Sequence, residues 1–193
     1  MKRITAFLTL FLVMALASCK SDKNVGENPF FAEWNTPYGV PPFDRITPAH
    51  FLPALERGMS LHDAEIDAIT SDNDAPTFEN VILAYDDSGQ MLAQTELIFG
   101  MLCAAENTAE MQALQEQVMP MLAAHADKIL LNEKLFERVK AVYDRRAALE
   151  LDADQSRLLE KTYRRFVRAG ALLDAEQKAR LKAINGELSL ASV

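Results

Sequence analysis

Apolar residues return every three or four positions in segment after segment of this chain, and no segment alternates apolar and polar residues as a half-buried strand would. That regularity restricts the chain to packed helices. The fold class it predicts is all-α: an antiparallel helical bundle joined by short loops. Glycine is scarce, at 7 of 193 residues, and nothing repeats with a period of about 34 residues, which argues against a tetratricopeptide array.

The helix boundaries are marked by side chains that satisfy free backbone ends. Thr47-Pro48 reads as a cap with proline at the first helical position, and Phe51, Leu55, Met59, Ile66 and Ile69 follow. Pro76-Thr77-Phe78-Glu79-Asn80 is a second start, with Thr77 as cap. Gly89 interrupts that helix, and Leu92, Leu97, Ile98 and Leu102 continue its apolar face. Asn107 with Glu110 has the form of a capping box. The stripe Met111, Leu114, Val118, Met121, Leu122, His125 and Ile129 comes next, with a kink expected at Pro120. Asn132 opens the helix of Leu135, Phe136, Val139, Val142 and Tyr143. Another helix is expected from about residue 154 to residue 169. The last starts at Asp174, with Gln177 three residues on, and carries Leu181, Ile184 and Leu188. Residues 188–193 hold no glycine stop, basic turn or proline, which fits a chain cut in mid-element.

The start of the chain reads as a targeting signal. Lys2 and Arg3 precede an apolar run over residues 6–17 that is short for a bilayer span. Leu16-Ala17-Ser18-Cys19 resembles the bacterial lipobox, so residues 1–18 are expected to be a lipoprotein signal peptide and Cys19 the site of lipid attachment. Acyl chains anchor a protein to a membrane without a spanning helix. Lys20 rather than aspartate follows the cysteine, which by resemblance to known sorting rules argues against retention at the inner membrane. The expected location is the bacterial cell envelope, on the outer membrane or the periplasmic face.

Residues 19–27 read as a linker and residues 28–46 as an extended arm. Pro29, Pro37, Pro41 and Pro42 forbid regular helix there, yet Phe30, Phe31, Trp34, Tyr38 and Phe43 lie among them. A free tether is poor in aromatics, so the arm should dock its rings on a helical surface. Residues 47–193 form the helical domain. With Cys19 acylated, Cys103 has no disulfide partner, and Leu102-Cys103-Ala104-Ala105 makes it a buried, inert thiol. Loss of Lys2 and Arg3 with the signal takes the net charge from −8 to −10, a balance that disfavours nucleic acid as a partner.

Chemistry-bearing patterns are few. His50, His62 and His125 include no pair four residues apart, so none makes a zinc-binding helix. His62 and Glu65 read as a solvated pair, His125 as a core histidine and His50 as structural. Asp72 and Asp74, Asp86 and Asp87, and Asp152 and Asp154 sit at helix ends or loops. Ser88-Gly89 shows no partner histidine in the sequence. Arg145-Arg146 and Arg164-Arg165-x-x-Arg168 read as solvated faces.

Five blocks, in order, carry a family likeness. They are Asn28-Pro29-Phe30; Pro42-Phe43-Asp44-Arg45-Ile46 with His50-Phe51-x-Pro53-Ala54; and Pro76-Thr77-Phe78-Glu79-Asn80 followed by Ser88-Gly89. Then come His125-x-Asp127-x-Ile129-x-x-Asn132 with Leu135-Phe136-x-Arg138-Val139, and Leu158-Leu159 through Phe166-x-x-x-Gly170-Ala171-x-Leu173 to Glu187-Leu188-Ser189. Together they resemble the N-terminal region of the thimet-oligopeptidase, peptidyl-dipeptidase and oligopeptidase A family of zinc metallopeptidases. The resemblance implies a helical wall of a channel that admits short peptides, with the zinc ligands of a His-Glu-x-x-His helix in a later catalytic domain. That motif is absent from this chain, so the resemblance implies no catalytic and no metal residue here, and the isolated chain is expected to bind no zinc and cleave no peptide.

Two functions follow. One is a fragment of an envelope-anchored zinc oligopeptidase, of the peptidyl-dipeptidase type that releases dipeptides from a free C-terminus. The other is a stand-alone helical lipoprotein acting as a binding module. For the fragment, the arm (Phe30, Phe31, Trp34) and the last helix face (Leu181, Ile184, Leu188) are expected to lie exposed where the catalytic part would cover them.

Overall fold

The computed structural model describes residues 28–106 and 108–191. The signal, Cys19 and the linker expected over residues 1–27 lie outside them, as does Asn107.

Six long helices account for most of the fold, and among the described residues there is no strand, so the chain is all-α. Helix α1 spans Pro48–Ser71, with His50 returning a hydrogen bond to the Thr47 backbone N–H at 3.1 Å. Thr77 caps a π-helical turn, Phe78–Leu83, that runs into the single turn α2, Ala84–Asp86. Gly89 opens α3 (Gln90–Ala105), and α4 (Ala109–Leu130) continues through Pro120. Its cap is Thr108, one residue later than the Asn107–Glu110 pairing expected, because the Thr108 hydroxyl accepts the Met111 N–H at 3.2 Å. Helices α5 (Glu133–Asp144) and α6 (Ala153–Arg168) start at Asn132 and Asp152, and α7 (Ala175–Ala191) at the reciprocal Asp174–Gln177 pair.

These helices enclose two apolar cores. The first joins Phe51, Ala54 and Leu55 of α1 to Leu92, Ile98, Phe99 and Cys103 of α3, to Met111 and Val118 of α4, and to Phe30. The second joins Ile66 and Ile69 of α1 and Ile129 of α4 to Phe78, Val81 and Ile82 and to the buried faces of α5 and α6. Helices α1 and α4 therefore run through both cores. No helix among the described residues is long and apolar enough to cross a membrane.

The arm corrects one expectation. Phe30 is buried, not exposed: its ring lies 5.3 Å from that of Phe51 and 6.2 Å from that of Trp34. Trp34 Nε1 donates to the Pro29 carbonyl at 2.8 Å, and Asn28 Nδ2 donates to the His50 carbonyl at 2.9 Å. Arg57 covers the face of Phe31 at 4.6 Å. The arm finds its helical surface within this chain, while Tyr38 and Phe43 stay exposed. On α7 the expectation holds better, since Ile184 and Leu188 are exposed and Leu181 is half-buried.

Candidate functional site

Between the two cores lies a polar seam. It falls where α1 and α4 pass from one core to the other, so His62 and His125 meet although 63 residues separate them. The third contributor is the turn from α2 into α3. There Gly89 adopts a left-handed φ of 72°, and a Cβ on it would stand 2.8 Å from His62 Nδ1. Glycine is the residue that allows the ring to approach. The Gly89 N–H donates to Glu65 Oε2 at 2.7 Å, which fastens the turn to α1.

The hydrogen-bond distances assign the protons. Ser88 Oγ donates to the Tyr85 carbonyl at 2.7 Å, so its oxygen accepts from His62 Nε2 at 3.2 Å. His62 Nδ1 is then an acceptor, and His125 Nε2–H donates to it at 3.1 Å. In the neutral ring that burial favours, His125 Nδ1 carries no proton, and it lies 3.7 Å from Asp63 Oδ1, beyond hydrogen-bond length. Asp63 pairs instead with Lys128 Nζ at 2.7 Å. Both rings are neutral in this arrangement. Burial lowers the pKa of His62, helped by the neighbouring His125 and opposed by Glu65 and Asp63. Burial likewise lowers that of His125, opposed by Asp63.

This direction matters chemically. A nucleophilic serine must give its proton to a histidine base, whereas Ser88 receives one from His62 and gives its own to a carbonyl. The seam is thus a clamp between helices and not a hydrolytic triad. Beside it opens a cavity of about 250 Å³ lined by His62, Tyr85, Ser88, Glu96, His125 and Arg165 among others. Burial raises the pKa of the Tyr85 phenol and of the Glu96 carboxyl.

Two sequence readings are corrected by this geometry. Ser88-Gly89 does have a histidine partner, and half-buried His62 and exposed Glu65 each engage the α2–α3 turn instead of forming a pair of their own. The reading of His125 as a core histidine stands, at 8 % exposure. Cys103 is buried, and burial raises its pKa, as an inert thiol requires. His50 completes the α1 cap. Arg145 donates to the Pro76 carbonyl and Arg146 lies 4.1 Å over the Tyr143 ring, so this pair is structural. Asp72, at the end of α1, receives Arg138 Nη2 at 3.1 Å and Asn80 Nδ2 at 3.0 Å.

Among the described residues, no group of three or more His, Cys, Asp or Glu side chains could hold a metal ion, and His62 and His125 spend their facing nitrogens on each other. These residues do not fit the zinc that the family resemblance implies.

No family model matches the chain. It is similar to dipeptidyl carboxypeptidase of Escherichia coli (strain K12), at 43% identity over 160 residues, covering 83% of this chain and 24% of the relative. The Salmonella typhimurium dipeptidyl carboxypeptidase is 41% identical over the same length. Oligopeptidase A of Escherichia coli is 23% identical over 154 residues, covering 80% of this chain and 23% of that protein. The chain spans about a quarter of the length of these curated relatives.

Proposed function

This chain is a homologue of the dipeptidyl carboxypeptidases and oligopeptidases A, and on that premise we propose that it supplies the helical wall of a peptide channel in a zinc-dependent oligopeptidase of the peptidyl-dipeptidase type. In this reading it is a fragment: hydrolysis belongs to residues outside this chain, and its own role is to build and rigidify the wall past which short peptides move. The identity of 43% over 160 residues, 83% of the chain, carries the reading. Cys19 would carry a lipid that holds the protein at the cell envelope; the basic start, short apolar run and lipobox support this.

The test is a chimaera. Residues of this chain replace the matched segment of the Escherichia coli dipeptidyl carboxypeptidase, and release of dipeptides from blocked peptides with a free C-terminus is followed. The chimaera is expected to retain dipeptide release. A chimaera that is folded and metal-loaded yet inert would overturn the proposal. One observation favours the second reading, a stand-alone helical binding module: the arm closes the first core without help from another chain. Dipeptide release by the chimaera would decide against it.

A further inference from the structure

The outward face of α6 carries a feature that wall-building leaves unused. Arg157, Lys161, Arg164, Arg165 and Arg168 fall within about 100° of one another around the helix. They lie opposite Leu159, Thr162 and Phe166, which are buried, and all five are exposed. Lys161, Arg164, Arg165 and Arg168 line a groove of about 420 Å³. Among the described residues, Arg164 is the member of the stripe with an ion-pair partner, Glu160 at 2.6 Å. Like charges three and four residues apart repel one another on a helix, so a stripe of this kind costs stability unless something covers it. It stands on a chain with 20 basic and 28 acidic residues, where solvated charge alone would leave the signs mixed.

We propose that this stripe binds an acidic polypeptide segment, whose carboxylates bridge the guanidinium groups of Arg165 and Arg168 and the ammonium of Lys161. Arginine presents a planar fork of donors suited to bidentate carboxylate recognition. Shape and charge select a peptide over a lipid surface. The groove is one helix face wide and runs about 10 Å from Lys161 to Arg168, and the acidic remainder of the chain would repel a planar anionic membrane. Arg165 also lines the cavity beside His62, so a segment seated on the stripe reaches the rim of that cavity. The inference rests on the peptide-handling role proposed above and adds its substrate class: peptides with acidic residues.

Fluorescence anisotropy with a labelled Asp/Glu octapeptide tests this on the full 193-residue chain. Saturable binding is expected, weakening as salt rises, with a Lys/Arg octapeptide not bound. The Arg165→Glu/Arg168→Glu variant should bind at least about tenfold more weakly, since it sets like charges against the carboxylates of the peptide. Arg165→Lys should retain part of the affinity, and circular dichroism verifies helix content. Single Arg165→Gln serves if the double reversal unfolds. Unchanged affinity in a folded variant overturns the proposal, as does the absence of saturable binding. So does sedimentation of the chain with phosphatidylglycerol vesicles that the Arg165→Glu/Arg168→Glu change abolishes, when the peptide fails to bind. Acidic-peptide binding by a chain whose chimaera is inactive would remove the channel reading and leave the stripe assignment standing.

Discussion

The two apolar cores share α1 and α4 yet are closed in different ways. The second is closed by helical segments, the π-helical turn among them, and its rings form a continuous series: Tyr143 over Tyr163 at 3.8 Å, then Phe136, Phe166 and Tyr85. The first is closed by a proline-fixed arm that pins Phe30 onto Phe51 through backbone-directed hydrogen bonds from Asn28 and Trp34. Regular helices bring their own hydrogen bonds to a closure, whereas an irregular arm must borrow them from side chains. The seam of His62, Ser88 and His125 fixes how the two cores sit against each other.

The strongest way to break this comparison is to hollow out each core separately. Phe51 and Phe166 are both fully buried, and Phe51→Ala or Phe166→Ala should each cost about 3–5 kcal/mol. Because two helices thread both cores, each variant should shift one shared urea transition. A second transition in Phe51→Ala, with the α5–α6 side still folded, would show that the cores are separate cooperative units.

A smaller effect tests the packing of α1 on α3. A Cβ at Gly58 would stand 2.9 Å from the Leu92 Cα, a backbone atom that cannot turn aside. Gly58→Ala should therefore destabilise by about 1–3 kcal/mol. Gly100, on α3, has nothing within 4 Å of the same position, so Gly100→Ala should gain up to about 1 kcal/mol from helix propensity. Urea midpoints moving in the same direction for both would contradict the close approach of α1 and α3.

The seam should give the shallowest signal, a pH dependence. Burial holds both histidines below their ordinary value of 6.5, so the unfolded chain takes up protons first as pH falls. Stability is full above that value and is lost as pH falls through it, levelling once the folded histidines also protonate. Midpoints compared at about pH 7.5 and at successive steps below the ordinary value follow this loss. His62→Gln should flatten the slope, and a midpoint that rises on acidification would exclude the neutral pair.

Much of the helical framework was legible because capping is local. Thr47, Thr77, Asn132 and Asp174 each sit within three residues of the N–H or side chain they engage, so the sequence places them side by side. Even the misplaced cap at Asn107 erred by one residue, since the Thr108 hydroxyl oxygen is the same kind of short side-chain acceptor that an asparagine amide oxygen provides. The arm's docking was legible from its rings, but not its target, because Phe30 and Phe51 meet only through the fold. The seam was hidden for the same reason. Ser88 lies 26 residues from His62, and His125 lies 63 from it, distances over which no periodicity speaks. The sole local sign was the glycine after Ser88, which marks a backbone turn but not the ring that needs it.

The π-helical turn at Phe78–Leu83 has a consequence for how this chain tolerates insertions and deletions. Its Ala84 N–H reaches back five residues to the Glu79 carbonyl, so the turn holds one residue more than an α-helix would. Deleting one residue there would restore ordinary helical bonding, yet rotate everything beyond it by about 100°. Tyr85 would turn away from Phe166, and Ser88 and Gly89 from α1. The extra residue thus acts as a phase setting: a length change that the local backbone would welcome is one that the rest of the molecule would reject.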